Sequence, residues 1–315
     1  MELQKTEGVR IAGICACVPR NAVRNETKVA EATGIVTRRI AAEGTTVVDL
    51  CVKAAERVLF DTDAKPADFG AILCVSFTSR DRMPSAAVQA QARLGFPKGI
   101  IAFDVSLACS GWGYGLYLAG LLARETGKKV LLLDGDVQSA FTGNDETTAP
   151  LLADGGTATV VEKCSDCSEC LNGRMPWMFG FAADGEKGGA LRLSHGEAIK
   201  MDGFGVFRFV ATEVVAYIKE FAFHCSPSPS TFTFVPHQPN AYMVRQLAKS
   251  VGIEEARTVI SCDELGNLSS ASIPVTIAWK GVKGPVLFAG FGGGLSVSLG
   301  LIDLDDGCKL SVLEV

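Results

Sequence analysis

Three residues far apart in the chain stand where a side chain can do chemistry. The first is Cys109, in Phe103-Asp104-Val105-Ser106-Leu107-Ala108-Cys109-Ser110-Gly111-Trp112-Gly113-Tyr114. An apolar run, Gly99 to Val105, reads as a buried strand, and a helical pattern runs from Ser110 to Arg124. Backbone N–H groups at a helix start are unpaired and carry partial positive charge. A thiol there is expected to lean toward thiolate, its nucleophilic form. Gly111, Gly113 and Gly115 place no side chain in the way of a substrate, at a cost in helix propensity. A free cysteine is equally at home as a buried core residue, so this stretch alone leaves both readings open.

A cysteine nucleophile needs partners. His237 follows the apolar strand Thr231 to Val235 and Pro236, and it precedes Gln238-Pro239-Asn240 and a helical pattern. A polar residue ending a buried strand of an α/β sheet points into the crevice where ligands bind. A satisfied loop histidine would look the same. Asn267, in Leu265-Gly266-Asn267-Leu268-Ser269-Ser270-Ala271-Ser272-Ile273-Pro274, is a third polar group at an element boundary. Asn is also a common N-cap. His195, in a polar turn, and His224, ending a helix, read as surface residues. In Ala289-Gly290-Phe291-Gly292-Gly293-Gly294-Leu295 the glycines let backbone N–H groups approach a ligand, or simply turn a tight hairpin.

The elements that must position these groups alternate. Strands are expected at Val9 to Cys17, Phe69 to Phe77, Gly99 to Val105, Lys129 to Asp134 and Thr157 to Val161, with helices at Thr45 to Leu59, Pro84 to Leu94 and Ser110 to Arg124. That order argues α/β architecture with apolar central strands. A second half repeats the plan. Strands are expected at Trp177 to Phe181, Ala190 to Leu193, Phe232 to Val235, Thr258 to Ser261, Pro285 to Phe291 and Leu295 to Leu301. Helices are expected at Gly203 to Phe223, Asn240 to Val251 and Ser269 to Trp279. The division is 1–163, a cysteine-rich connecting loop at 164–175, and 176–315. A duplication would set the helix starts near Cys109 and Asn267 side by side.

The chain has 315 residues, enough for a large core, and is 48% hydrophobic and 21% charged. Its net charge of −5 offers no basic footprint for nucleic acid. No apolar run reaches membrane-spanning length, and the N-terminus has no secretory h-region. Eleven scattered cysteines, an odd count, fit a reducing cytoplasm. Cys164, Cys167 and Cys170 have a spacing that could hold a metal or an iron–sulfur cluster, but no fourth ligand lies near, and a surface loop of thiols fits as well.

Ala-Cys-Ser-Gly around Cys109, Val-Pro-His-Gln-Pro-Asn around His237, Gly-Asn-Leu-Ser-Ser-Ala-Ser-Ile-Pro around Asn267 and Gly-Phe-Gly-Gly-Gly near the C-terminus occur in one order. In this the chain resembles the β-ketoacyl-acyl-carrier-protein synthase III family, a branch of the thiolase-superfamily condensing enzymes. Softer matches at Thr37-Arg38-Arg39-Ile40-Ala41, Pro84-Ser85-Ala86-Ala87 and Ala153-Asp154-Gly155-Gly156 extend the likeness over nearly the whole chain. Thiolases carry a second cysteine in the glycine-rich strand, and chain-elongating ketosynthases a second histidine where Asn267 stands; neither pattern is present.

The resemblance implies a duplicated five-layer α-β-α-β-α fold, a homodimer and an acyltransferase. Cys109 would take an acyl primer from a thioester. The N–H groups of Cys109 and Gly293 would form the oxyanion hole. Nε2–H of His237 and the amide of Asn267 would stabilise the enolate left when a malonyl thioester loses CO₂. Acyl carrier protein or coenzyme A would carry the substrates, with no metal or redox cofactor. Met83 falls where the family places an aromatic residue that caps the partner's acyl pocket; simple core filling is the plainer alternative. Departures are equally informative. Where the family has Asp-Glu-Trp-Ile-x-x-Arg-Thr-Gly-Ile to grip adenine, this chain has Val29-Ala30-Glu31-Ala32-Thr33-Gly34-Ile35. Where it has Asn-Leu-Arg after the histidine, this chain has Asn240-Ala241-Tyr242. Both favour a carrier protein over coenzyme A as primer donor. Acyl transfer to an oxygen or nitrogen acceptor, and a non-catalytic partner subunit, remain the rival readings.

Overall fold

The computed structural model describes residues 1–143, 145–164, 175–225 and 232–315. Cys167, Cys170 and most of the 164–175 loop lie outside the described residues. The apolar runs build two sheets. One has the order β15 (Lys309–Glu314), β2 (Val9–Val18), β8 (Asp154–Lys163), β7 (Lys129–Val137), β5 (Phe69–Val75), β6 (Ile101–Val105). The other has the order β1 (Leu3–Thr6), β9 (Trp177–Ala183), β14 (Ser296–Leu304), β13 (Gly284–Gly292), β12 (Thr233–Pro236). Two small ribbons, β3 (Ala22–Arg24) with β4 (Thr37–Arg39) and β10 (Leu191–Arg192) with β11 (Lys200–Met201), stand apart from both.

Successive side chains of a strand point to opposite faces, so each central strand feeds two cores. Cys15, Cys17, Ile72, Cys74, Leu131 and Leu133 pack against helices Val47–Asp61 and Ala86–Arg93. Their neighbours Ile14, Ala16, Leu73, Val75, Val130 and Leu132 pack against helices Gly111–Thr126 and Ser272–Lys280. The second sheet covers the far side of that helix pair with Val286, Phe288 and Ile302. Its outer residues Leu287, Ala289, Phe291, Val297 and Leu299 meet helices Val215–Cys225 and Ala241–Val251. The layers are therefore helix, sheet, helix, sheet, helix. Local chemistry starts the helices. Thr46 and Asp49 form a reciprocal capping box, and Asn240 Oδ1 accepts the Met243 N–H at 2.8 Å.

The sheets correspond strand for strand. β5, β7, β8, β2 and β15 in one take the places of β12, β13, β14, β9 and β1 in the other. The last pair exchanges chain ends. β1 pairs with β9 of the second half, and β15 pairs with β2 of the first. The counterpart of β6 is nearly lost. The expected strand from Thr258 to Ser261 is reduced to one parallel bridge, Phe234 to Thr258, because Gln238 takes the hydrogen bonds a longer strand would use: its Nε2 donates to Val259 O and its Oε1 accepts from Ser261 N–H. The expected strand from Ala190 to Leu193 survives only as the ribbon Leu191–Arg192. β6 itself is an edge strand, not a buried one: Ile101 is 43% and Phe103 36% exposed. Its apolar composition cannot distinguish a sheet centre from an edge awaiting cover.

Candidate active site

The turn from β6 into helix Gly111–Thr126 delivers Cys109. The second sheet clamps that turn. Ser110 Oγ lies 2.7 Å from Ser296 Oγ, and Ser298 Oγ–H donates to the Ser110 carbonyl at 2.7 Å. β13 presses in from the same side. A Cβ at Gly292 would stand 2.8 Å from Cys109 Cβ and 3.0 Å from its sulfur, so only glycine lets the backbone pass. The helix glycines serve packing, not substrate access. A Cβ at Gly115 would strike Val75 Cγ2 at 2.7 Å, and one at Gly113 would strike Ser298 Cβ at 2.7 Å. Their missing side chains seat the helix between the two sheets.

Burial pushes the Cys109 thiol up to about 12, and the charge of Asp136 adds to the rise. The Ser269 hydroxyl, 3.9 Å from Sγ, and the N–H groups of Cys109 and Gly293 work in the opposite direction. The expected lean toward thiolate is thus overturned. The sulfur does sit at a helix start, but it is 7% exposed and no cation is among the groups acting on it. Desolvation outweighs these three neutral donors. Those same two N–H groups converge on the atom that any acyl carbon bonded to the sulfur must adjoin.

His237 directly follows β12, with its N–H held by Ala289 O at 2.7 Å and its ring edge-on to Phe291 at 5.4 Å. It is 2% exposed, and burial pushes its pKa down to about 3, against the opposing Ser269 carbonyl. The ring is therefore neutral and holds one N–H. Ser272 Oγ–H donates to Ser269 O at 2.6 Å and lies 3.2 Å from His237 Nδ1. Having spent its proton on the carbonyl, Ser272 can only accept from Nδ1. These hydrogen bonds assign the resting proton to Nδ1, where an Nε2–H was expected; neighbouring hydroxyls, invisible to a reading of His237 alone, decide the tautomer.

Asn267 follows Gly266, whose φ of +80° and 2.7 Å clearance to Ala153 Cβ demand glycine. Its backbone is fastened three times: N–H to Leu151 O at 2.9 Å, and carbonyl from Ala153 N–H at 2.9 Å and Gln138 Nε2 at 2.7 Å. Its Oδ1 accepts the Ser269 N–H at 2.9 Å, which leaves the amide NH₂ as the outward end. Ser269 thus touches all three groups: the sulfur through its hydroxyl, the asparagine through its N–H, and the histidine through its carbonyl. The two helix starts do lie side by side, as duplication requires. Ser269, Ser272 and Gln138 were missed as site residues. Ser269 and Ser272 had a signal, lying inside the Asn267 motif; Gln138 had none.

The remaining candidates lie elsewhere. Met83 is 86% exposed in the single chain, so it fills no core and lines no cavity of its own subunit. His195 and His224 are exposed. A cleft of about 960 Å³ bounded by Arg10, Arg124, Lys163, Trp177 and Asp303 contains none of the three site residues. Among the described residues no cluster of three His, Cys, Asp or Glu could hold a metal, and no helix is long and apolar enough to cross a membrane.

The chain is similar to known proteins in sequence and in fold. The family model for 3-oxoacyl-[acyl-carrier-protein] synthase III matches residues 103–175, and the model for its C-terminal part matches residues 231–304. The β-ketoacyl-[acyl-carrier-protein] synthase III of Syntrophomonas wolfei is 35% identical over 296 residues, covering 85% of this chain and 86% of that protein. Its namesake from Aquifex aeolicus is 29% identical over 308 residues, covering 92% and 97%. The crystal structure of a 3-oxoacyl-(acyl-carrier protein) synthase from Burkholderia xenovorans LB400 matches with a TM-score of 0.91 at 28% identity, over 100% of this chain and 99% of that one. The fold is the thiolase-like fold of those enzymes, and the chain belongs to the β-ketoacyl-[acyl-carrier-protein] synthase III family.

Proposed function

We propose that the protein joins an acyl primer, held on Cys109, to a malonyl thioester in a decarboxylative Claisen condensation. The observation that carries this reading is the meeting of a buried thiol, a neutral imidazole and a fixed amide on one serine. The sulfur attacks the primer's thioester carbon, and the N–H groups of Cys109 and Gly293 receive the oxyanion. Such a donor is worth about 10²–10³ in rate. Malonyl thioester then loses CO₂. The enolate oxygen takes hydrogen bonds from the Asn267 amide, which cannot titrate, and from His237. The histidine donates from Nε2 once the Ser272 hydroxyl turns its proton from Ser269 O to Nδ1; the developing anion selects that tautomer. The enolate carbon attacks the acyl-cysteine and expels the sulfur, giving a β-ketoacyl thioester. Side chains and backbone suffice for this sequence, so no cofactor is assigned.

Acyl carrier protein is the favoured primer donor, since Tyr242, half-exposed, offers no charge to a phosphate where the family has arginine. The exposed apolar edge of β6 suits a homodimer in which the sheet continues across a two-fold axis. Met83 would then reach the partner's pocket, and its flexible thioether suits primers longer than acetyl. Free thiols throughout the described residues fit a cytoplasmic setting. The test is release of labelled CO₂ from malonyl-carrier protein by acyl-primed enzyme. Acyl transfer without CO₂ release would establish an oxygen or nitrogen acceptor instead. Absence of any acyl adduct on Cys109 would leave a non-catalytic subunit.

A further inference from the structure

A chain of hydroxyls joins the turn that carries the nucleophile to the glycine-rich strand end. Ser110 stands at the N-cap of helix Gly111–Thr126, where a serine hydroxyl ordinarily accepts a helix N–H. It makes no such bond here. Its hydroxyl crosses to the other half of the protein instead and meets Ser296 Oγ at 2.7 Å. Ser296 Oγ–H donates in turn to the Gly293 carbonyl at 2.9 Å. A serine hydroxyl has one proton to give. With that of Ser296 spent on Gly293 O, Ser110 is the donor of the pair, and the chain runs from Ser110 through Ser296 to Gly293.

The two strands are built to admit these contacts. In the β13–β14 register Gly290 lies opposite Ser298 and Gly292 opposite Ser296. A Cβ at Gly290 would stand 2.9 Å from Cys109 O and 2.9 Å from Ser110 Cα, so the bare strand lets the turn settle within reach of both serines. The alternate residues Val297 and Leu299 face the outer core. Ser110 and Ser296 are buried, where a hydroxyl left unbonded is costly. Gly292, Gly293 and Gly294 have no side chains to hold them, and Gly292 and Gly294 take φ of +155° and +145°.

We infer that Ser110 and Ser296 are positioning residues that fix the Gly293 N–H against Cys109 while the thioester oxyanion forms. The inference rests on the proposed reading of Cys109 as the acylated nucleophile. In that reading the two oxyanion donors come from opposite halves of the chain, one from Cys109 and one from Gly293. Ser110 is the sequence neighbour of the first, and Gly293 carries the carbonyl that Ser296 holds. Two hydrogen bonds thus tie the donors to each other. Holding the carbonyl restrains a residue whose backbone is otherwise free, and donors fixed in advance need no reorganisation as charge develops. The strand end passes the nucleophile closely, since a Cβ at Gly292 would lie 3.0 Å from the sulfur. A small swing of that stretch therefore changes the reach of the N–H.

Single-turnover acylation of Cys109 by acyl-carrier protein, followed by intact mass, tests this beside alkylation of the same residue by iodoacetamide, a displacement that builds no oxyanion. Ser296→Ala is expected to acylate about 10-fold more slowly, part of the about 10²–10³ that a lost donor costs. Ser110→Ala is expected to lose only about 3-fold, because Ser296 still donates to Gly293 O. The double variant should match Ser296→Ala, since the two hydroxyls act in series. Ser296→Thr, which keeps the hydroxyl, should recover most of the lost rate. Alkylation, read on the Cys109 peptide, should stay within about twofold of wild type in all of them, as the sulfur itself is untouched. Losses that multiply in the double variant, alkylation that slows in step with acylation, or an unchanged acylation rate in folded Ser296→Ala overturns the inference. Unfolding melts identify a variant that does not fold. Ser110→Ala, which removes no capping bond, then decides alone, and acylation at the wild-type rate counts against the inference. A wild-type Cys109 that iodoacetamide labels but acyl-carrier protein does not acylate overturns the proposed reaction itself, which is a different result.

Discussion

Neighbouring glycines of one strand end should respond oppositely to the same methyl group. At Gly292 a Cβ would lie 2.8 Å from Cys109 Cβ and 3.0 Å from its sulfur. Carbon atoms in contact sit about 3.5–4.0 Å apart, so the backbone and the nucleophile must separate by about 0.7 Å or more. That gap opens between the Cys109 sulfur and the Gly293 N–H that bonds it. Loss of one oxyanion donor costs about 10²–10³ in rate, or about 2.7–4 kcal/mol at the transition state. Overpacking costs about 1–3 kcal/mol of stability, well inside the roughly 5–15 kcal/mol of a typical domain, so Gly292→Ala should fold and fail. At Gly293 the new Cβ meets Ala108 Cβ at 3.5 Å, an ordinary contact, and the N–H is unchanged. Gly293→Ala should acylate within a few-fold of wild type. The assay is the rate of acyl-adduct formation on Cys109, with thermal unfolding as control. Equal losses in both variants, or none in Gly292→Ala, would refute the placement of that N–H as an oxyanion donor.

Three further outcomes follow from the geometry. Asn267→Asp turns the outward donor into an acceptor, so CO₂ release should fall about 10²–10³-fold while Cys109 still acylates; an intact condensation rate would remove Asn267 from the enolate site. Folded His237 stays neutral down to about 3, whereas an unfolded histidine protonates near 6.5, so the unfolded chain binds more protons in that window and this contribution to stability falls as pH drops. In urea titrations the wild-type advantage over His237→Gln should shrink by up to about 1.4 kcal/mol per pH unit between pH 6.5 and 4, and parallel curves would argue against the burial. Phe103→Glu places a charge on the exposed edge of β6, and light scattering should find a monomer; a dimer of unchanged affinity would put the interface elsewhere.

What could be read from the chain alone divides by distance. Alternation and helical spacing marked nearly every central element, because each strand's two faces and each helix's stripe are local properties. The exchange of β1 and β15 between the sheets was not legible: Leu3–Thr6 and Lys309–Glu314 are short, half-buried segments whose partners lie at the opposite end of the chain. Cys109, His237 and Asn267 stood out by type and by the small residues around them, whereas their protonation did not. The helix start that suggested a thiolate is real, yet the sulfur's charge is set by enclosure and by Asp136, and the imidazole's proton by Ser272. Each of those controls comes from a different element than the residue it governs. Position in this fold follows from motifs that a chain carries contiguously, whereas charge follows from the meeting of two halves. Ser269 illustrates the point: inside its motif it is one serine among three, and only the assembled site makes it the bridge between sulfur, amide and imidazole. A variant that preserves every motif but shifts one half against the other should therefore keep the residues and lose the chemistry, which is the outcome that Gly292→Ala isolates.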